Sequence, residues 1–258
     1  MENNTSNKIS AVIITLNEER NIARCLQSLQ GIVDEIIVLD SFSTDKTEDI
    51  CRQFGVRFFK HPFEGHIQQK NKALEFATFD YVLSIDADEE LSQELRKSIL
   101  EIKESMSFDG YRFNRLNNFC GRWIKHGGWY PDTKLRLWNK RKGRWGGYNP
   151  HDTVVIDKNA TTKRLKGNIL HYTCNTIHER ILQINKFSEI AAKDKYQRRE
   201  KSSIAKCIYK SIWCFIHNYF FRLGFLDGYY GLVVCKTSAF GVFLKYAKLR
   251  QLYQETDL

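Results

Sequence analysis

Short apolar runs alternate with helical patterns over the first hundred residues of the chain. Ile9–Leu16 is a continuous apolar run rich in β-branched residues, which is typical of a strand buried on both faces of a parallel sheet. The same reasoning predicts further strands over Glu35–Leu39, Val56–Lys60 and Tyr81–Ile85, with helices between them and an amphipathic helix over Leu91–Ser105. Strands that alternate with helices predict right-handed βαβ units, and therefore an α/β fold built on an open, mostly parallel sheet.

The pattern changes after these repeated units. Glycine, tryptophan, tyrosine and arginine cluster over Gly110–Ile156, where β-propensity rises and helical periodicity fades. We expect short antiparallel strands and long loops there. Helical patterns return over Ile177–Gln254, aromatic and basic, in two or three segments that are broken near Gly224–Gly231.

The charge of the chain is unevenly distributed. The 258 residues include 40 Lys and Arg against 30 Asp and Glu, a net charge of +10. Residues 1–162 hold 23 basic and 23 acidic side chains, whereas residues 163–258 hold 17 and 7, so the last 96 residues carry the whole excess. Basic helices rich in aromatic residues are typical of segments that lie on an anionic membrane surface. The same pattern also fits a helical subdomain that packs its aromatic side chains in a core.

The seven cysteines indicate a reducing compartment, because they are odd in number, scattered and never spaced C-x-x-C. Residues 1–8 include no apolar stretch of the kind that a secretory signal needs. The longest stretch of the tail without Asp, Glu, Lys or Arg is Ser211–Phe221, eleven residues. A bilayer span needs about 20 apolar residues. We therefore expect a cytoplasmic protein with no membrane span.

Polar and acidic residues follow three of the predicted strands. The segment 15–18 (TLNE) ends the first strand, Asp40 the second, and Asp86 and Asp88 the fourth. In an open α/β sheet ligands bind at the carboxyl ends of the strands. An Asp-x-Asp pair often only caps a helix, but two such carboxylates can also share a divalent cation that binds substrate phosphates. The convergence of three strand ends favours a nucleoside diphosphate with Mg²⁺ or Mn²⁺, while the absence of G-x-G-x-x-G and G-x-x-x-x-G-K-[ST] argues against dinucleotide and P-loop sites.

The order of four sequence blocks resembles that of family 2 inverting glycosyltransferases with the GT-A fold. The blocks are ISAVIITLNEERNIARCLQSL, EIIVLDSFSTDKTEDIC, GHIQQKNKALEFA and YVLSIDADEEL, and the resemblance covers roughly residues 8–175. Later pieces (WYPDTKLRLW, PHDTVV, ILHYT and FLDGYYGL) resemble bacterial glucosyltransferases that act on the inner core of lipopolysaccharide. The resemblance implies a GT-A domain over 1–176, with a Rossmann-like nucleotide-sugar-binding half (8–105) and an acceptor half (106–176). A helical basic and aromatic extension follows over 177–258.

The resemblance also implies the residues of the donor site. Lys70, on the predicted helix before the fourth strand, matches a position that approaches the sugar nucleotide. Asp88 matches the direct metal ligand, Asp86 an acid directed at ribose or metal, and His171 in ILHYT the histidine that completes the metal site. The residues that match the nucleoside-binding segments are Thr15, Asn17, Glu18 and Asp40.

Two aspartates compete for the role of catalytic base. Asp152, in the motif PHD, matches the catalytic carboxylate of the family. The glucosyltransferase subgroup usually has Glu there, so the side chain of Asp152 is one carbon shorter. Asp132, which follows Pro131, is the rival. A base that takes the proton of the acceptor hydroxyl contributes about 10²–10⁴ in rate. The sequence leaves both aspartates as candidates.

The function implied by the resemblance is the metal-dependent, inverting transfer of a sugar, glucose or a related hexose. The donor is a nucleotide-diphosphate sugar such as a UDP-sugar, and the acceptor a saccharide or lipid-linked saccharide in cell-envelope glycan or lipopolysaccharide core synthesis. The tail implies a peripheral position on the anionic inner face of the cytoplasmic membrane. Two other classes stay open: an inactive GT-A-fold membrane adaptor, and a basic nucleic-acid-binding protein. The acidic strand ends argue against the second, so no nucleic-acid partner is expected.

Overall fold

A computed structural model of the protein describes residues 7–148 and 151–256, so Pro150 of the motif PHD lies outside the described residues. The chain is divided into two compact units, and each of them contains two segments of the sequence. Unit 1 consists of Met1–Arg115 and Asp132–His171, and unit 2 of Leu116–Pro131 and Tyr172–Leu258. Unit 2 thus includes residues 116–131, which the sequence assigns to the acceptor half, and the boundary between residues 176 and 177 stays a prediction.

The βαβ units predicted for the first hundred residues are present. They run through β1 (Ile9–Thr15), α1 (Ile22–Leu29), β2 (Glu35–Asp40), α2 (Thr47–Gln53), β3 (Arg57–Lys60), α3 (His66–Glu75) and β4 (Tyr81–Ser84). The chain continues through β5 (Glu89–Leu91), α4 (Gln93–Lys103), β6 (Gly110–Phe119), β7 (Arg122–Ile124), β8 (Asp132–Asn139), β9 (Gly143–Tyr148), β10 (His151–Ile156) and β11 (Thr162–Cys174). The four predicted strands are confirmed to within one residue at each end.

The strands form an open sheet in the order β3-β2-β1-β4-β8-β6-β11-β5, with β7 paired to the end of β6. β1 pairs in parallel with β2 and β4, and β2 in parallel with β3. β8 is antiparallel to both β4 and β6, and β9 and β10 form a separate antiparallel hairpin. The α/β class with an open sheet is confirmed, and so are antiparallel strands after residue 110. The expectation of short strands and long loops there is wrong, because β6 is ten residues long and the strands β6 to β10 occupy most of Gly110–Ile156, where β6 and β8 extend the open sheet.

The core of unit 1 lies on both faces of β1. Ile13 packs with Leu26 of α1 in one buried cluster, while Val12 packs with Ala73 of α3 and Trp138 of β8 in another. Successive side chains of a strand point to opposite faces, so a strand covered on both faces is apolar at every position. This burial explains the continuous apolar run at the start of the chain.

Both boundaries of α4 differ from the prediction over Leu91–Ser105, since the helix also ends at Lys103. Leu91 belongs to β5, which pairs with β11, so the helix predicted over Leu91–Ser105 begins at Gln93 instead. Ser92 is its N-cap, because the Ser92 hydroxyl accepts a hydrogen bond from the backbone N–H of Leu95. The apolar spacing of the segment fits a short strand and a helix equally well, and the capping serine marks the true start.

Unit 2 contains the helical segments predicted for the end of the chain. Both α5 and α6 pack against α7, and a π-helical and a 3₁₀ turn separate α6 from α7, so the break expected near Gly224–Gly231 is confirmed. The elements are α5 (Ile177–Gln197), α6 (Ile204–Ile216), the turns His217–Phe221 and Gly224–Asp227, and α7 (Gly228–Thr256). No helix in the described part of the chain combines the length and apolar character that crossing a membrane requires. All seven cysteines are free thiols.

Candidate active site

The ends of the first two strands lie side by side. β1 and β2 pair in parallel, with Thr15 opposite Asp40. Beyond β1 the backbone turns sharply at Asn17, which has φ 55° and accepts a hydrogen bond at Oδ1 from the backbone N–H of Thr44, 2.8 Å away. Glu18 donates its own backbone N–H to a side chain at the start of α2. The four residues expected to contact the nucleoside are therefore brought together where the two strands end.

Asp40 and Thr15 differ in their hydrogen bonding. Asp40 is fully buried, and its carboxylate accepts hydrogen bonds from the backbone N–H and the hydroxyl of Ser43, so it shapes the loop after β2. Thr15 is 4 % exposed, and its hydroxyl oxygen has no hydrogen-bond partner among the residues that the structure describes. A buried polar group without a partner costs about 1–3 kcal/mol.

Lys70 joins two of the predicted site residues. Its Nζ lies 2.9 Å from Asp86 Oδ1 and 2.7 Å from Asp152 Oδ2, and 4.3 Å from the centroid of the Trp145 ring. The Lys70 side chain is only 6 % exposed. Lysine is almost never buried to this extent unless it is paired, and here two carboxylates pair with it. The candidate base and the first acid of Asp-x-Asp thus share one cation.

The β9–β10 hairpin brings Asp152 to Lys70. Asn71, the neighbour of Lys70 on α3, exchanges two hydrogen bonds with the backbone of Trp145 in β9. Asn71 Nδ2 donates to Trp145 O at 2.9 Å, and Trp145 N donates to Asn71 Oδ1 at 3.0 Å. Asp152 lies on β10, opposite Gly147 of β9. Asn71 therefore fixes the hairpin to the helix, and Lys70 binds the carboxylate that the hairpin carries.

Two buried charged residues that the sequence analysis did not assign complete this cluster. Arg136 Nη2 on β8 lies 3.0 Å from Asp86 Oδ2 and 3.3 Å from Oε1 of the fully buried Glu89. β4 and β8 pair with Leu83 opposite Leu137, which places Arg136 beside the end of β4. An arginine inside the apolar strand KLRLW is the signal that could have revealed it, since such a residue is buried only with partners.

The charged residues of the site form a series of ion pairs, here called the ion-pair chain, in which acidic and basic side chains alternate. The two candidate bases are its two ends. Asp132 contacts both Arg115 and Lys134 at 2.9 Å; burial alone would raise the pKa of Asp132, but these two cations lower it. From Asp152 the chain runs through Lys70, Asp86, Arg136, Glu89 and Arg115 to Asp132, with successive partners 2.7 to 3.6 Å apart.

The neighbouring cations keep Asp86, at the centre of the ion-pair chain, in its charged form. Burial alone would raise the pKa of Asp86, but the nearby charges of Lys70 and Arg136 hold it well below its usual range. Burial raises the pKa of Glu18, and the hydrogen bond from Asn21 opposes this effect. The negative charges of Asp88 and Asp86 raise the pKa of Glu18 further. The end of β1 and the end of β4 are therefore close enough to interact.

Asp88 and His171 meet through the pairing of β5 with β11. Glu89 lies opposite His171 in the antiparallel register, and His171 Nε2 is 3.1 Å from Asp88 Oδ2. Burial would lower the pKa of His171, but the charge of Asp88 and the hydrogen bond to it raise the pKa above its ordinary value. The carboxylate of Asp88 therefore faces the imidazole of His171. Either a proton or a metal cation can bind between these two groups.

These donors can be tested against a divalent cation. Neighbouring ligands of an octahedral ion, each about 2.1 Å from it, are about 3 Å apart, which is close to the Asp88–His171 separation. Such an ion is commonly held by one or two side chains, with waters and substrate phosphates in the other positions. Over residues 7–148 and 151–256 no three or more His, Cys, Asp or Glu side chains are grouped as a metal site. The pair therefore fits Mg²⁺ or Mn²⁺ as part of a site that the substrate completes.

The comparison with known proteins identifies the class. The chain matches the family model described as Glycosyl transferase family 2 over residues 10–164, which is more than half of its length. The match contains the parallel strands β1 to β4, the acidic strand ends and the hairpin with Asp152, and it ends near the start of β11. The protein belongs to glycosyl transferase family 2.

Two curated relatives match nearly the whole chain. An uncharacterized glycosyltransferase of Rickettsia prowazekii, RP128, is 37% identical over 256 residues, covering 95% of this chain and 87% of that protein. The lipopolysaccharide core biosynthesis glycosyltransferase LpsC of Rhizobium meliloti is 31% identical over 255 residues, with 94% and 92% covered. A solved structure, S. aureus TarS 1–349 in complex with UDP, is 15% identical, covers 96% of this chain and 92% of that chain, and has a TM-score of 0.47. The family assignment depends on the family model and the curated relatives.

Proposed function

We propose that the protein catalyses the metal-dependent, inverting transfer of a hexose, glucose or a close relative, from a nucleotide-diphosphate sugar to a saccharide acceptor. Family membership supports glycosyl transfer. The observation that carries the finer proposal is the position of Lys70 Nζ, 2.9 Å from Asp86 and 2.7 Å from Asp152. This contact joins the candidate base to the acidic end of β4, where a donor diphosphate would bind.

Asp152 is the proposed general base. The pKa of an acceptor hydroxyl is far above 7, so a carboxylate must take its proton as the oxygen attacks the anomeric carbon. The new oxygen–carbon bond forms on the face opposite the diphosphate, the bond from that carbon to the diphosphate oxygen breaks, and the proton moves to Asp152. This single displacement inverts the anomeric centre and needs no covalent nucleophile. Asp132 is less suited, because its two cations lower its pKa and therefore its basicity.

Lys70 is proposed to exchange Asp152 for the donor. Asp152 Oδ2 lies 2.7 Å from Lys70 Nζ, and an oxygen engaged in this way is not available to an acceptor hydroxyl. The diphosphate offers Lys70 oxygens that are negatively charged, as those of Asp152 are. The ammonium of Lys70 can therefore bind them at little extra cost of desolvation. Donor binding then frees Asp152 to face the acceptor hydroxyl. Binding of the donor therefore prepares the base.

Asp88 and His171 are the residues that would hold a divalent cation, Mg²⁺ or Mn²⁺, and Asp86 joins them when one of its cationic partners moves away. A bound cation would act as a Lewis acid that neutralises the charge of the departing nucleoside diphosphate. The nucleoside, which we propose to be uridine, lies at the ends of β1 and β2. There Thr15 and Asp40 lie opposite each other at the two strand ends, and Asn17 and Glu18 form the turn beside them.

The acceptor is proposed to be a saccharide, free or lipid-linked, of cell-envelope glycan or lipopolysaccharide core. The resemblance to core glucosyltransferases supports this, as does the name of the Rhizobium meliloti relative. We propose that the protein meets a lipid-linked acceptor at the inner face of the cytoplasmic membrane, where it acts as a peripheral enzyme. The basic excess in residues 163–258 agrees with an anionic surface.

Release of free nucleoside diphosphate from a panel of sugar nucleotides tests the proposal. We expect the full chain to hydrolyse a UDP-hexose slowly with Mn²⁺ or Mg²⁺, and to stop when EDTA is added. Asp88→Asn should be inactive, while Asp49→Asn, an exposed aspartate on α2, should match the wild type. Nucleotide release from none of the donors, with or without acceptor, would instead support an inactive adaptor. Once an acceptor is found, the anomeric configuration of the product, measured by NMR, tests inversion.

A further inference from the structure

Helix α6 turns its apolar side outward. Ile204, Ile208 and Ile212 follow one another at four-residue spacing on one face and are 60%, 48% and 54% exposed. The neighbouring stripe of the helix packs against α7 with small or polar groups: Cys207 is buried, and Ser211 Oγ donates to a backbone carbonyl of α7 at 2.8 Å. A helix on the surface of a soluble protein ordinarily has the reverse arrangement.

The exposed apolar side chains continue beyond the end of α6. Phe221 is 69% exposed and Tyr229 is 64% exposed. Leu223 has φ 56°, a left-handed conformation that strains any residue with a Cβ, and its side chain is nevertheless exposed. We call the whole set the outer apolar surface: Ile204, Ile208, Tyr209, Ile212, Trp213, Phe220, Phe221, Leu223, Phe225, Leu226 and Tyr229.

The segment that carries this surface has charged side chains that are almost all positive. Residues 201–254 contain eight Lys and Arg and one acidic residue, Asp227. That carboxylate is already engaged by three hydrogen bonds inside unit 2. Lys201, Lys210 and Arg222 are exposed and lie in sequence among the apolar side chains of the surface. The region therefore offers exposed hydrocarbon and positive charge together.

We propose that the outer apolar surface inserts into the interfacial layer of an anionic lipid bilayer. Aromatic and aliphatic side chains would enter the boundary between headgroups and acyl chains, and the neighbouring cations would contact anionic headgroups. A second copy of the chain is the poorer occupant, because two such surfaces would bring like charges together without acidic partners. The inference rests on the proposed function for the lipid-linked acceptor. It deepens that function by naming the surface that holds the enzyme at the membrane.

Vesicle binding tests the inference with the full chain and without donor or acceptor. We expect the protein to float with vesicles that contain phosphatidylglycerol, and much less with phosphatidylcholine alone. Binding should weaken as salt rises to about 1 M, where the Debye length is about 3 Å. Brominated lipid should quench Trp213, which is 46% exposed, and Trp213→Phe should remove most of that quenching. Equal binding to both kinds of vesicle, or binding to neither at low salt, overturns the proposal.

Paired variants separate the two contributions. Ile208→Ser with Phe221→Ser should weaken binding about tenfold or more, because each inserted side chain contributes through buried apolar area. Lys210→Glu with Arg222→Glu should also weaken it about tenfold or more, and only for anionic vesicles. These positions are exposed, so the variants should keep the thermal stability of the wild type.

Matched controls lie on exposed positions outside the surface. Leu100→Ser, whose side chain is 43% exposed on α4, and Lys158→Glu should bind as the wild type does. Wild-type affinity of both paired variants overturns the proposal. So does a wild-type dimer in vesicle-free solution that the apolar pair converts to monomer, since the surface would then join two copies. Vesicle binding without any nucleotide release would contradict the proposed function and leave this inference standing.

Discussion

Asp152 Oδ2 lies 2.7 Å from Lys70 Nζ, so the residue proposed as the base is held in an ion pair. The pair holds this carboxylate oxygen against Lys70, so the oxygen is not available to the hydroxyl of an acceptor. A donor that attracts Lys70 would release it. The consequence is an order of events in which the donor binds before the acceptor reacts.

The first prediction concerns Lys70 itself. Lys70→Met should weaken donor binding about tenfold or more, because a hydrogen bond to a charged group is worth about 1.5–3 kcal/mol and two carboxylates would be left without their cation. Lys70→Arg, which keeps the charge, should recover part of the loss. Donor affinity is measured by titration calorimetry, with Lys72→Met as control, since Lys72 contacts Glu75 on the outer side of the same helix. Unchanged donor affinity in Lys70→Met would contradict the proposed exchange.

The second prediction separates the two candidate bases. Asp152→Asn should reduce kcat by about 10²–10⁴ while donor affinity stays within a few-fold of the wild type, because the group acts on the acceptor. Asp132→Asn should keep most of kcat and lower the melting temperature, because it weakens the contacts with Arg115 and Lys134. Steady-state kinetics and thermal unfolding distinguish the two. The reverse pattern would assign the base to Asp132.

The third prediction concerns the metal. Asp88→Asn should weaken Mn²⁺ binding in the presence of nucleoside diphosphate and abolish turnover, without a change in the folded state, because Asp88 lies after a strand end and is partly exposed. His171→Asn should do the same to a smaller extent. Binding is followed by electron paramagnetic resonance of free Mn²⁺, a readout independent of turnover. If Asp88→Asn binds Mn²⁺ as tightly as the wild type, the ion is held elsewhere.

The fourth prediction concerns Gly167, where β11 approaches the start of α4. A Cβ at this position would lie 2.3 Å from the backbone N of Leu95, and the residue has φ +90°. Gly31 has φ +74° with open space around its Cβ position, so Gly31→Ala should cost only the conformational strain, about 1–2 kcal/mol. Gly167→Ala should cost clearly more in urea unfolding. Equal losses would mean that the backbone of β11 yields easily.

The open sheet and its acidic strand ends could be predicted from the sequence because they depend on local patterns. The apolar run at Ile9 to Thr15 and the Asp-x-Asp pair at Asp86 are each contained within a few residues. The ion-pair chain depends instead on the register of β8 against β4, which no local pattern encodes. Arg136 therefore looked like a single basic residue in an apolar strand, and Glu89 like part of an acidic turn.

The tail shows the same limit in another form. Its aromatic and basic composition is compatible with a membrane-binding surface and with a packed subdomain, and the sequence alone left both open. Helical spacing places Ile204, Ile208 and Ile212 on one face, but spacing alone does not reveal whether that face is buried. The packing of Cys207 and Ser211 toward α7 decides the question, because it leaves the isoleucines outside.

The pairing of β5 with β11 also restricts how the length of the chain can vary. Side chains alternate across a strand, so His171 reaches Asp88 in only one of the two phases of β11. A deletion of one residue between Gly167 and His171 would turn the imidazole to the far side of the sheet. The turn over residues 157–160 precedes β11 and can absorb added residues without that reversal. Insertions that arise during evolution should therefore survive in the turn over residues 157–160, and single-residue changes of length between Gly167 and His171 should be eliminated.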